Sequence, residues 1–243
     1  MILINAAAGP LLDVASQVLT RTDLPAAALI GGLAVTIRVA AHGTSYRATG
    51  DVDLVTGDDT PTLVEILTEQ HDPTARVVID DIKVDVIATG PVAEADLDGI
   101  EDGPRLFVAS HRWALETASD VTVATTASLD DAHTIRVATP AALVAAKSHA
   151  VGFARSQRRS TKHGSDLLDV YRLVDLHGPE DIAAMLHAAP GGIAPVIADV
   201  IRSTILARPG KAAALMTPID TPLIDAAHVA RLMERFVVAL DAT

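Results

Sequence analysis

Apolar residues recur along the first half of the chain at two spacings, and the alternation between them predicts strands and helices in turn. Leu11 to Leu19 has the helical spacing. Ala26 to Ile30 is a short apolar run closed by Gly31-Gly32, which predicts a buried strand and a tight turn. Leu33 to Ala41 resumes the helical period, and the polar, glycine-bearing stretch His42 to Gly50 predicts a loop. Asp51-Val-Asp-Leu-Val alternates acid with apolar residue, the period-two pattern of a half-buried strand. Thr60-Pro-Thr opens a helix to about Gln70, with Pro61 suited to its first turn. Two β-branched segments, Arg76 to Ile79 and Ile82 to Ala88, predict further strands.

Asp96 to Pro104 is acidic and turn-rich, Leu106 to Thr117 fits either helix or strand, and Thr134 to Ala138 predicts a last strand. The pattern then changes. Thr139 as N-cap and Pro140 at the first helical position announce a helix to about Arg155. Further helical stretches are Ser165 to Leu176, Pro179 to Ala188, Ile193 to Leu206 and Asp225 to Leu240, separated by Gly178, Gly191-Gly192, Pro209-Gly210 and Pro218 to Pro222. Strands followed by a run of helices predict an α+β chain of two domains, residues 1–138 and 139–243.

Composition narrows the picture. Residues of the apolar class make up 49% of the chain, enough for packed cores and against disorder. No apolar run reaches the roughly 18 residues of a membrane span, and Met1-Ile-Leu-Ile-Asn lacks the basic start of a signal peptide. With no Cys, disulfides and thiolate metal sites are excluded. The expectation is a soluble cytoplasmic protein without a membrane partner. A net charge of -12 argues against a broad nucleic-acid-binding face. The densest cationic cluster is Arg155, Arg158, Arg159, Lys162 and His163, which reads equally as a solvated helix end or as a local phosphate contact. The nine His residues show no H-x-x-x-H spacing for zinc, and the chain has neither the phosphate loop of an ATPase nor the nucleophile elbow of a serine hydrolase.

The chemistry that stands out is carboxylate. Asp51 and Asp53 lie two apart on a predicted strand, so both side chains project from one face. Unpaired, they would repel, and a hard cation such as Mg²⁺ resolves the conflict with oxygen ligands. Asp85, in Lys83-Val-Asp-Val-Ile, is the candidate third acid. Each feature alone is commonplace; their order gives them weight.

That ordered set, Ala28-Leu-Ile-Gly-Gly-Leu-Ala-Val, Arg47-Ala-Thr-Gly-Asp-Val-Asp-Leu and Lys83-Val-Asp-Val-Ile, resembles the polymerase-β nucleotidyltransferase superfamily. The Arg-x-Thr-x-Asp-x-Asp-Leu form most resembles the AbiEii toxin family, which includes the mycobacterial MenT toxins. Thr139-Pro-Ala-Ala-Leu-Val-Ala-Ala-Lys-Ser-His-Ala and Asp166-Leu-Leu-Asp-Val-Tyr-Arg-Leu extend the resemblance into the helical half, over roughly residues 26 to 176. It implies an N-terminal nucleotidyltransferase domain with a polymerase-β-like mixed sheet and helices, then a C-terminal helical domain.

The implied activity is Mg²⁺- or Mn²⁺-dependent transfer of NMP from an NTP to an acceptor, a tRNA 3′ end in toxin relatives held in check by an antitoxin. Asp51, Asp53 and Asp85 become the metal ligands, with Asp85 alternatively the base. Lys147 neutralises phosphate charge, although on its residues alone it reads as a lysine at a helix edge reaching for water. Asp166 pairs with Lys147 or orients the base, while Asp169 reads almost equally as an acid in the first turn of its helix. Gly31 and Gly32 let backbone N–H groups approach the triphosphate; Gly32 stands where relatives often carry Ser, so a hydroxyl is expected to be lost there. Arg47, Thr49, Arg155 and Arg159 are the remaining candidate substrate contacts, Thr49 also standing where an antitoxin can modify a hydroxyl in MenT-like relatives. Two rival readings remain: a small-molecule nucleotidyltransferase acting on a cationic aminoglycoside, and a non-catalytic member that binds only nucleotide or partner.

Overall fold

The computed structural model describes residues 1–21, 26–44, 46–47, 49–57, 76–89, 97, 99–153, 160–219 and 224–242. The helix expected from Thr60 to Gln70 lies outside them. The described chain divides into two compact units, Met1–Val92 with His111–Thr139, and Ala93–Ser110 with Pro140–Thr243.

The first unit is built on a mixed seven-stranded sheet among the described residues, in the order β1-β6-β7-β2-β3-β5-β4. The strands are β1 (Ile2–Ile4), β2 (Ala27–Ile30), β3 (Asp51–Thr56), β4 (Arg76–Ile79), β5 (Ile82–Ala88), β6 (Ser119–Thr125) and β7 (Ser128–Val137). β3, which carries Asp51 and Asp53, runs antiparallel to β2 and parallel to β5. Its inward residues Val52 and Leu54 are fully buried, as the period-two pattern requires. Helices α1 (Gly9–Leu19) and α2 (Gly31–Ala40) pack on the sheet. Arg38 of α2 donates from Nε to the carbonyl of Ala138 and from its terminal nitrogen to that of Val137, fastening the helix to the end of β7.

Helix α3 (Asp102–Thr117) settles the segment that fitted both helix and strand. It begins in the second unit and ends in the first. The rest of the second unit is helical: α4 (Pro140–Gly152), α5 (Ser160–His177), α6 (Pro179–His187), α7 (Ala194–Ile201, continued by a π turn Arg202–Leu206), α8 (Pro209–Met216) and α9 (Ala226–Asp241). α4 is apolar around most of its circumference, and such a helix must be enclosed. It is, packed by α5, α6 and α7. The amphipathic α9 lays Val229, Leu232, Met233, Phe236, Val237 and Leu240 onto the bundle, and Asp225 caps its first turn through the Ala227 N–H.

The strands β1 and β6 and the helix α8 exceed the expectation from sequence, and β7 begins well before Thr134. Gly31-Gly32 is no separate turn: it forms the first residues of α2, entered from an extended Ile30. No single helix among the described residues is long and apolar enough to cross a membrane.

Candidate active site

The parallel register of β3 and β5 sets Asp53 beside Asp85, and the strand period puts Asp51 on the same face. One oxygen from each of Asp51, Asp53 and Asp85 can be chosen so that all lie within 4.8 Å of one another. All three residues are half-buried, open enough to receive a ligand. A donor set of carboxylate oxygens alone fits a hard divalent cation such as Mg²⁺ or Mn²⁺.

Glycine lets the backbone pass close against this site. Ile30 pairs with Asp53, so the chain leaving β2 passes directly over that carboxylate. A Cβ on Gly31 would collide with it, standing 2.5 Å from Asp53 Cγ, and the residue holds φ of +68°, the left-handed region. Both facts require glycine. At Gly32 a Cβ would meet Thr49 Oγ1 at 2.6 Å and an Arg47 terminal nitrogen at 3.4 Å. The hydroxyl expected to be lost with Ser is therefore not missing from that place: the loop supplies one through Thr49. Thr49 Oγ1 also donates to Asp51 Oδ1 at 3.0 Å, and the Arg47 guanidinium lies over the Tyr46 ring at 5.9 Å.

One participant escaped the sequence reading. Arg76 donates to both oxygens of Asp85, its second bond at 2.7 Å, so the third acid is already partnered. The Asp85 carboxylate, with Asp51 and Asp53 adding at longer range, holds the Arg76 guanidinium above its ordinary proton affinity. The signal was in the sequence. Asp80 and Asp81 both have positive φ, forming the two-residue turn that matches hairpin twist. Counting outward from such a turn pairs Ile79 with Ile82 and Arg76 with Asp85.

In the second unit, Lys147 is buried within the enclosed helix α4. Its Nζ lies 2.9 Å from Asp166 Oδ1 and 2.7 Å from Asp169 Oδ2, and both acids are essentially inaccessible to water. Lys162 approaches Asp166 Oδ1 at 3.9 Å from the exposed side of α5. Asp166 Oδ2 is buried with no hydrogen-bond partner among the described residues. The dipole reading of Asp169 fails because α5 begins at Ser160, which leaves Asp169 in the helix interior. Arg155 and Arg159 lie outside the described residues.

With three acids converging beside a helix that opens on glycine, the first unit has the layout of a nucleotidyltransferase. The model of the family described as "Nucleotidyl transferase AbiEii toxin, Type IV TA system" matches residues 17–200, and the chain belongs to that family. The comparison with curated proteins found no match. Membership makes the chain a nucleotidyltransferase of a toxin–antitoxin family.

Proposed function

We propose that this protein transfers an NMP group from an NTP to an RNA acceptor, a tRNA 3′ end, as a toxin restrained by a cognate antitoxin. The observation that carries the reading is the convergence of Asp51, Asp53 and Asp85 within 4.8 Å. We assign these three to a Mg²⁺ or Mn²⁺ site; the cation held there would neutralise charge on the triphosphate. In the step itself an acceptor hydroxyl oxygen bonds to the α-phosphorus. The α–β phosphoanhydride bond breaks, pyrophosphate departs, and the hydroxyl proton passes to a base. Arg76 sits on both oxygens of Asp85, so either role, metal ligand or base, would require Asp85 to give up part of that pairing.

Gly31 and Gly32 let Asp53 and Thr49 lie directly against the start of α2, where helix N–H groups favour anions. Arg47 and Thr49, next to Gly32, are assigned to the triphosphate there, and Thr49 additionally holds Asp51. Lys147 and Asp166 are assigned to catalysis from the second unit, and Arg155 and Arg159 to the RNA backbone. The net charge of -12 favours the rival cationic acceptor, so the test carries both.

The protein is incubated with each labelled NTP, Mg²⁺ or Mn²⁺, and either total RNA or an aminoglycoside. Label is expected in the tRNA fraction with the intact chain and not with Asp51→Ala, and expression of the intact chain alone is expected to arrest growth. Label in the aminoglycoside alone would replace the acceptor. No transfer to any acceptor with either metal would leave a binding-only member of the family.

A further inference from the structure

Three neighbouring strands of the first unit present side chains on the sheet face that carries the acids. Val52, Leu54, Val84 and Val86 are buried on one face, which leaves Asp51, Asp53, Lys83 and Asp85 on the other. The register of β3 and β5 sets Lys83 beside Asp51 and Asp85 beside Asp53. β4 continues that face, because paired residues on adjacent strands share it: Arg76 stands opposite Asp85, and Val78 opposite Lys83. The acids are therefore bordered by two cations carried on the β4–β5 hairpin. Both are exposed, Arg76 over 60% of its side chain. Arg76 is held on Asp85, whereas the Lys83 side chain has neither ion pair nor hydrogen bond among the described residues.

The opposite border of the acids is built differently. Gly31 and Gly32 at the end of β2, with Thr49 and Arg47, lie against Asp53 and Asp51, and we assign that border to the triphosphate. β3 and β5 separate β2 from β4, so at ordinary strand spacing the two borders stand about 14 Å apart. Nucleotidyl transfer is an in-line displacement, with the attacking and leaving oxygens on opposite sides of the phosphorus. With pyrophosphate leaving towards the β2 border, the attacking hydroxyl approaches from the hairpin. Cations there suit an acceptor that is anionic close to its hydroxyl. An RNA 3′ end has that property, since its last phosphodiester lies within one nucleotide of the reacting oxygen. A cationic acceptor would be repelled.

We propose that Lys83, with Arg76 beside it, binds the terminal phosphodiester of the RNA acceptor. This rests on the reading of the first unit as an RNA-directed nucleotidyltransferase with its triphosphate against α2, and adds the side chain that recognises the acceptor. Lys83 is the cleaner probe, because Arg76 also holds Asp85.

The full-length protein is compared with Lys83→Ala and Lys83→Arg, circular dichroism confirming that each is folded. The RNA is a single strand whose last linkage is either the natural phosphodiester or an uncharged methylphosphonate. Transfer gives the KM, and fluorescence anisotropy with 3′-deoxy-terminated strands, which bind but cannot accept, gives the Kd. On the natural strand Lys83→Ala is expected to raise the RNA KM and Kd about three- to fivefold, with the KM for NTP unchanged. The log–log salt dependence of its binding is expected to be shallower by roughly 0.7. Lys83→Arg is expected to restore both constants, and on the methylphosphonate strand the intact chain and Lys83→Ala are expected to bind alike. Unchanged RNA constants in Lys83→Ala, or an equal loss on both strands, would overturn the contact while RNA transfer itself stands. Should the intact chain transfer nothing to RNA while the anisotropy contrast persists, the acceptor reading fails and the hairpin stands as an RNA-binding site.

Discussion

Gly32 is the residue at which sequence and structure differ most usefully. Read alone, it removes a hydroxyl; in three dimensions the Thr49 hydroxyl occupies the space that a side chain there would need. The two positions are therefore expected to be coupled. Gly32→Ser alone should lower kcat/KM by driving Thr49 off Asp51, and adding Thr49→Ala should recover most of the loss. The double-mutant cycle is expected to give a coupling of about 1–2 kcal/mol, whereas simple additivity would contradict the steric account. His149 carries a different expectation. Its folded-state pKa is lowered from 6.5 by burial, so below about that pH the unfolded chain takes up a proton that the folded chain resists. This part of the stability is intact above pH 6.5 and is lost as the pH falls towards the folded-state value. Denaturant unfolding at pH 7.5, 6.5 and 5.5 should show a shallower acid loss in His149→Gln, and an identical slope would contradict it. Most of the carboxylate site was legible because a strand's period and a family pattern both act locally. Arg76 needed a count outward from the Asp80-Asp81 turn, and the pairing of Asp169 with Lys147 in the second unit shows only in what folds against it.

At the scale of elements, the β4–β5 hairpin has two roles: it carries Asp85 and brings Arg76 to it. Arg76 and a divalent cation would compete for the same oxygens. Arg76→Ala is therefore expected to tighten Mn²⁺ binding roughly two- to fivefold, a modest effect because the guanidinium is exposed. Titration calorimetry or Mn²⁺ paramagnetic resonance would show it, and weaker binding would mean that Arg76 organises the acid instead of competing for it. Elements with a clear period were legible: α1, β2, β3, β5, α4, α6 and α9 all lie close to where the pattern placed them. The missed ones have physical reasons. β1 is three residues long and gains its identity only by pairing with β6, each residue with a partner 121 positions further along the chain. The early part of β7 is polar and exposed, with only Ile135 and Val137 burying its end, so the alternation shows only there. Pro209-Gly210 reads as a break, but Pro is equally at home in a first helical turn, where it starts α8.

Across the whole molecule, the sequence's change of character near residue 139 coincides with the chain's last passage between units. What it could not disclose is that residues 93–110 join the second unit before β6 and β7 complete the first. That excursion is fixed by contacts distant in sequence, such as the approach of Leu97 and Ala109 to Gly191, and leaves no mark in local periodicity. At this scale the central claim is that the molecule moves a nucleotidyl group using Asp51 and Asp53. The most direct measurement supplies the same NTP labelled at either the α- or the γ-phosphate, with total RNA and Mg²⁺, to the intact chain and to a folded Asp51→Asn variant. The α-label is expected to enter RNA and the γ-label to leave as pyrophosphate, with the variant doing neither. Transfer of γ-label to RNA, or undiminished α-transfer by Asp51→Asn, would contradict the claim.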